Sequence, residues 1–255
     1  MSVIEDLEDF CGSMMKYFFL FLLAFVAWLW LEPRAQFKLG ELYENGHVVQ
    51  QDYAQARHWY EKAAEQGYAA AQYKLGVLYI KGQGGSHDSE QARSWFEKAA
   101  EQGDAAAQSY LGVMEFTQRD YAQARAWFKE AAAKGDVEGQ YWLGAMEYMQ
   151  RDYAQAARWF EKAVAQGHPA AQHALGSLWL HGEGVPQDYE KARNLFEKSA
   201  AQGFGTAQYD LATMYYNGKG ARQDKRAAKE LFGKACDAGT PEGCDRYREL
   251  NNLGF

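Results

Sequence analysis

Six glycines divide most of the chain into units of nearly constant length. Gly67, Gly103, Gly135, Gly167, Gly203 and Gly239 follow one another at 36, 32, 32, 36 and 36 residues, and Gln36, Gln72, Gln108, Gln140, Gln172 and Gln208 keep the same steps. A period of this size marks a stacked-repeat architecture, in which each unit buries its apolar face against its neighbours. The 255 residues, otherwise enough for one or two globular domains, are therefore read as an array with end pieces.

Inside each period the pattern is that of two helices. The first runs A-Q-x-x-L-G-x-x-Y: Leu39, Leu75, Leu111, Leu143, Leu175 and Leu211 are followed three residues on by Leu42, Leu78, Met114, Met146, Leu178 and Met214. With a small residue four before and an aromatic four after, this is one apolar stripe at helical spacing. The glycine after each leucine, absent only at Ala212, permits close approach of a neighbouring helix. The second helix opens at Asp52, Asp88, Asp120, Asp152, Asp188 and Asp224, where the carboxylate can cap free backbone N–H groups. Pairs such as Trp59-Tyr60, Trp95-Phe96 and Leu195-Phe196 fill the contact with the first helix, and the periodic glycine ends the second in a left-handed conformation.

This pattern resembles the Sel-1-like repeat, a relative of the tetratricopeptide repeat. The resemblance covers residues 35–240 and implies an all-α fold, a right-handed α-solenoid of six helix-turn-helix units at 35–70, 71–106, 107–138, 139–170, 171–206 and 207–240. Repeats three and four depart from it: EFTQRDY and EYMQRDY lack four loop residues, and Glu115 and Glu147 replace the usual Tyr. Their turns are expected to be tighter. Residues 241–255 read as a capping helix and tail, with Tyr247 and Leu250 continuing the apolar stripe.

Cys236 stands where the other repeats have Ala or Val, and Cys244 where each has the periodic glutamine. Cysteine-rich secreted members of the family carry the similar motif K-A-C-x7-C, so the resemblance implies a disulfide between the two. Two buried free thiols are the alternative. A disulfide would require an oxidising compartment.

Ahead of the repeats, residues 1–16 are acidic up to Lys16, and Tyr17–Leu31 is an unbroken apolar run of fifteen residues. Fifteen falls short of the roughly 20 a spanning helix needs. Counting from Gly12 with Lys16 snorkelling restores that length, with Trp28 and Trp30 at an interface. The readings are an uncleaved membrane anchor over 17–31, a cleaved signal peptide, or a buried helix; Met14-Met15-Lys16 also looks like a signal start. The corresponding location is a bacterial inner membrane with the repeats facing the periplasm, or a secreted or periplasmic protein if the segment is removed.

Beyond residue 34 there are 25 Lys and Arg against 29 Asp and Glu, with no basic run. That balance excludes the phosphate-neutralising clusters nucleic acid requires. The spacing of His168, His173 and His181 does not put all three on one helical face, so no metal is expected, and no cofactor. Ser13-Met14-Met15-Lys16 matches S-x-x-K without the K-T-G or S-D-N that accompany it in β-lactamases. The chain is thus read as not an enzyme. A β-lactam-binding or hydrolysing enzyme, like cysteine-rich relatives, is one alternative and a structural spacer another.

What remains is a surface. The side chains of the first helices that point away from the leucine stripe include Tyr73, Val77, Ile80, Phe116, Tyr141, Tyr148, His173, Leu180, Tyr209 and Tyr216. Stacked side by side they would line a concave face rich in aromatic and aliphatic groups, the composition of a partner-binding surface. The third-position tyrosines have a second reading, as packing against adjacent repeats. The resulting expectation is a membrane-tethered scaffold that binds an unidentified protein or peptide, with regulator, host-factor binder and effector-immunity protein among the roles the resemblance implies.

Overall fold

A computed structural model describes residues 32–255. These form thirteen α-helices, with no strand among the described residues. First helices are α1 (Pro33–Asn45), α3 (Ala69–Lys81), α5 (Ala105–Thr117), α7 (Val137–Met149), α9 (Pro169–His181) and α11 (Gly205–Asn217). Second helices are α2 (Tyr53–Glu65), α4 (Ser89–Glu101), α6 (Tyr121–Ala133), α8 (Tyr153–Ala165), α10 (Tyr189–Ala201) and α12 (Lys225–Asp237), and α13 (Pro241–Asn252) closes the chain. Residues 17–31 lie outside the described residues, among which no helix is long and apolar enough to cross a membrane. The chain divides into two compact units, up to Ala107 and from Gln108.

In the first unit α3 packs on α2 and α4. In the second α7 packs on α6 and α8, α9 on α8 and α10, α11 on α10 and α12, and α13 on α12. The cause is a leucine followed by a glycine on the first helices, with Ala212 in place of the glycine in the sixth repeat. Leu75, Leu111, Leu143, Leu175 and Leu211 are buried, and a Cβ built on Gly76, Gly144 or Gly176 would lie 2.6, 2.6 or 2.7 Å from the ring of Phe96, Phe160 or Phe196. Those rings are fully or nearly fully buried. At roughly 1.5–3 kcal/mol per buried side chain, this recurring Leu–Phe contact supplies much of each hairpin's stability.

All six aspartates cap as the sequence implies, each accepting backbone N–H bonds from the first turn of its helix. Each contact contributes about 1 kcal/mol. The periodic glycines have φ of 83° to 88°, and a Cβ on Gly203 would meet nothing within 4 Å. The left-handed backbone, rather than crowding, demands glycine there.

The turns of repeats three and four are shorter, yet they close in the same way as the long ones. The capping aspartate's N–H returns to the eleventh residue of the first helix in both kinds: Asp88 to Tyr79 at 3.1 Å, Asp188 to Trp179 at 2.9 Å, Asp120 to Glu115 and Asp152 to Glu147 at 3.0 Å. The four absent residues therefore remove only an outward excursion. In the short turns Arg119 and Arg151 take the left-handed conformation, at φ 66° and 64°, where the long turns have glycine. Glu147 receives Arg125 Nη1 at 2.6 Å from the second helix of the preceding repeat. That position meets Arg57 over the Tyr79 ring earlier in the chain, so exchanging Tyr for Glu replaces a stacked pair by an ion pair.

The periodic glutamines are buried and join helices that are distant in sequence. Gln72 Nε2 donates to the Ala64 carbonyl at 3.1 Å, eight residues back, while its Oε1 accepts from Gln102 Nε2 at 2.8 Å. Gln208 repeats the first bond, to Ala200 at 3.2 Å. At the last junction Cys244 occupies the glutamine position, and it is disulfide-bonded to Cys236, again eight residues back, with Cα atoms 4.6 Å apart. A covalent bond thus takes the place of the side-chain hydrogen bond. In α13, Leu250 is buried, but Tyr247 is 38% exposed. This corrects the expectation for Tyr247, whose ring lies against the edge of Gly233 rather than inside the hairpin.

Candidate functional site

In the first unit the exposed face of the first helices is partly ionic. Lys38 pairs with Glu41 at 2.6 Å and Lys74 with Glu44 at 3.0 Å. Tyr60 donates to Glu44 at 2.5 Å, and burial with that carboxylate raises its pKa well above the usual phenol value. Tyr73 lies 6.2 Å from the Phe96 ring, and Ile80 is half-buried. Val77, expected on the open face, is only 8% exposed; its side chain is shorter than those one turn to either side.

In the second unit the short turns change what the first helices present. The long turn of repeat six lies over the second helix of the repeat before it, so that a Cβ on Gly220 would sit 2.5 Å from the Tyr189 carbonyl oxygen. Repeat four, with its short turn, has no such cover for the equivalent Tyr121, which is 44% exposed. At the end of α7 Tyr148 is 42% and Met149 57% exposed.

These side chains border a cleft of about 340 Å³, lined by Phe116, Tyr141, Trp142, Ala145, Tyr148, Met149, Phe160, His173, Ala174 and Ser177. Four residues expected at the surface therefore come together here: Phe116, Tyr141, Tyr148 and His173. Leu180 lines a neighbouring cleft of about 320 Å³ with Asp210, Thr213 and Lys219. Tyr209 instead lies 5.3 Å from Phe232, and Tyr216 is covered by Lys225 and Arg246. The third-position rings serve two purposes. Tyr141 packs on Phe160 and His168, and His173 on Phe196 and Phe204, while both still face the cleft. Trp142 and Met149 belong to the site without having stood out in the sequence; the signal for Met149 was an apolar residue at the edge of a shortened turn.

The polar groups of the site are engaged. His173 Nε2 is 2.8 Å from Asp210 Oδ2, and Ser177 Oγ donates to the His173 backbone carbonyl at 3.1 Å. Serine and histidine stand close without a relay between them, because the hydroxyl bonds the backbone and the ring bonds the carboxylate. His168 caps α9 by accepting from Ala171 N at 3.0 Å and faces Glu138 at 3.2 Å. Burial and then the Glu138 charge raise the Tyr141 pKa; burial and then Glu183 raise that of Tyr148. Both hydroxyls stay protonated at neutral pH. Among the described residues no group of three or more His, Cys, Asp or Glu could hold a metal ion.

Repeated, Asp-capped hairpins joined by buried glutamines define a helical-repeat protein. The sequence profile of the Sel1 repeat matches at residues 33–68, 69–104, 105–136, 137–168, 169–204 and 205–240, and the chain belongs to that family. Sel1 repeats generally mediate protein–protein interactions and are typically non-catalytic. A Sel1 repeat protein from Oxalobacter formigenes is similar over 80% of this chain and 85% of its own, at 31% identity and a TM-score of 0.74. A protective antigen of uropathogenic Escherichia coli displaying an SLR fold is similar over 88% of this chain, at 36% identity and a TM-score of 0.69; this chain spans about half of that protein, 50% of its length. An immunity protein from Pseudomonas aeruginosa shares the fold over 82% of this chain and 83% of its own, at 19% identity and a TM-score of 0.57. No curated protein matches the sequence.

Proposed function

We propose that the chain is a membrane-tethered, non-catalytic module that holds a segment of a protein partner in the aromatic cleft of repeats three to five. One observation carries the reading: Tyr148 and Met149 stand exposed beside the half-buried rings of Phe116, Tyr141 and Trp142 and the buried ring of Phe160, the arrangement in which a few anchor residues supply most of the binding energy. Tethering rests on the apolar run at 17–31. Placement of the repeats outside the cytoplasm is supported by the Cys236–Cys244 disulfide, since such bonds persist in oxidising compartments.

The test is site-directed photocrosslinking in cells, with a benzophenone side chain at Met149 or, as control, at Lys129 on α6. A single adduct is expected from position 149, reduced by Trp142→Ala and absent from position 129. Equal adducts from both positions, or adducts indifferent to Trp142, would refute the site. Alkaline extraction of membranes tests the tether: protein released as completely as a chain lacking residues 17–31 would refute it.

A further inference from the structure

One place in the repeat is filled by a different long side chain at three of the junctions, and between repeats four and five it is open. It is framed by the twelfth residue of a first helix, the eighth of the second, and the sixth of the next first helix. Between repeats one and two these are Glu44, Tyr60 and Lys74, and the lysine inserts to bond Glu44 at 3.0 Å. Between repeats three and four they are Phe116, Phe128 and Trp142, and the indole fills the place, 5.0 Å from one ring and stacked 5.7 Å from the other. At the last junction they are Tyr216, Phe232 and Arg246, and the guanidinium lies 4.9 and 5.8 Å from the two ring centroids.

Between repeats four and five the three are Tyr148, Phe160 and Ala174. The methyl group of Ala174 reaches nowhere near as far as lysine, arginine or tryptophan, and all three residues line the cleft. The surroundings suit a cation. None of the lining residues is Lys or Arg, and the carboxylates of Glu138 and Glu183 act on Tyr141 and Tyr148. Elsewhere ring faces are covered from within the chain, as at Trp95 by Lys98, Trp159 by Lys162 and Trp179 by Lys191. No cation covers Phe116, Tyr141, Trp142 or Tyr148 among the described residues.

We propose that the opening beside Ala174 is a socket for an arginine side chain of the bound partner, whose guanidinium takes the position over Tyr148 and Phe160 that Arg246 holds over Tyr216 and Phe232. Guanidinium over an aromatic face, with carboxylates at the rim, is attracted by the ring quadrupole and by charge together. The inference rests on the cleft being the binding site and specifies what enters it.

The experiment uses the full chain, purified in detergent with methyl-13C methionine, the Met149 signal being assigned by Met149→Leu. It is titrated with N-acetyl-argininamide, with its neutral isostere N-acetyl-citrullinamide, and with N-acetyl-tryptophanamide. The arginine probe is expected to shift the Met149 methyl and to bind about fivefold more tightly than citrulline. Ala174→Arg, which supplies the guanidinium in cis, should abolish the shift. Glu183→Gln, an isosteric change at a half-buried loop residue, should weaken arginine binding about threefold and leave citrulline unchanged. Equal binding of arginine and citrulline, tighter binding of tryptophan, no shift with any probe, or no effect of Glu183→Gln overturns the proposal. The crosslink from position 149 would survive such a result, so a cleft that binds a partner through another anchor is told apart from one that binds nothing.

Discussion

Reducing the disulfide should release the last helix while leaving the repeats before it intact. The bond closes a separation of eight residues, and the chain-entropy relation gives about 2.5 kcal/mol for a loop of that size. Little else holds α13: of its twelve residues only Gly243 and Leu250 are buried. The remaining contacts are at its surface, among them Arg246 over the Tyr216 and Phe232 rings, Tyr247 against Gly233 and the Lys229 ammonium on the Phe255 carbonyl at 2.5 Å. Amide exchange followed by mass spectrometry, with and without reductant, reads the effect locally. Peptides from 241–252 should lose protection by about sixtyfold, the equivalent of 2.5 kcal/mol at 1.4 kcal/mol per decade. Peptides from α7 and α8 should not change. The double substitution Cys236→Ala with Cys244→Gln rebuilds the hydrogen bond that Gln208 makes to Ala200, and should recover about 1 kcal/mol of the loss. Unchanged protection of α13 on reduction, or a loss spread evenly over the second unit, would refute the idea that the bond substitutes for one rung of the glutamine ladder.

Three further tests concern the parts of the repeat. Arg119→Gly and Arg151→Gly each remove a left-handed non-glycine residue and should stabilise the second unit by about 0.5–1 kcal/mol, seen as a higher denaturant midpoint. Gly176→Ala, which drives a Cβ to 2.7 Å from the buried Phe196 ring, should cost about 1–2 kcal/mol after the gain in helix propensity. Gly203→Ala should cost about 1 kcal/mol through φ alone, with no change in the environment of Phe196 by NMR. Gln72→Leu breaks two bonds, to Ala64 and Gln102, and should cost about 1–3 kcal/mol by urea unfolding. Gln208→Leu should cost less, because its Oε1 has no protein partner to lose.

The helices were legible because their signals are local and recur. An Asp that caps, a Leu-Gly pair that packs and a glycine that ends the helix each act within one or two turns, and six copies make the pattern redundant. The open face was legible only in part. Whether Tyr216 or Tyr148 is available depends on what the following first-type helix places over it, and that is decided by position six of that helix, about thirty residues on. Arg246 covers Tyr216, while Ala174 leaves Tyr148 open. The roles of Trp142 and Met149 were hidden for the same reason, since neither is unusual within its own helix. Val77 shows the converse, a side chain on the expected face that its length keeps below the surface.

The shortened turns offer the most direct way to ask whether the cleft is a product of loop length. Both kinds of turn close on the same hydrogen bond, from the capping aspartate to the eleventh residue of the first helix. Replacing Gln150-Arg151 by the six residues Gly182–Gln187 that precede the cap in repeat five should therefore preserve the bond from Asp152 to Glu147. Four added loop residues cost only tenths of a kcal/mol in closure entropy, so the unfolding midpoint should hold or rise as the strained arginine disappears. The new turn should lie over Tyr121 as the turn of repeat six lies over Tyr189. Tyr121, now 44% exposed, should then resist nitration by tetranitromethane, mapped by peptide mass spectrometry, and the crosslink from position 149 should weaken. A graft that folds with the same midpoint yet leaves Tyr121 as reactive as before would show that something other than the four absent residues keeps this face of the repeat open.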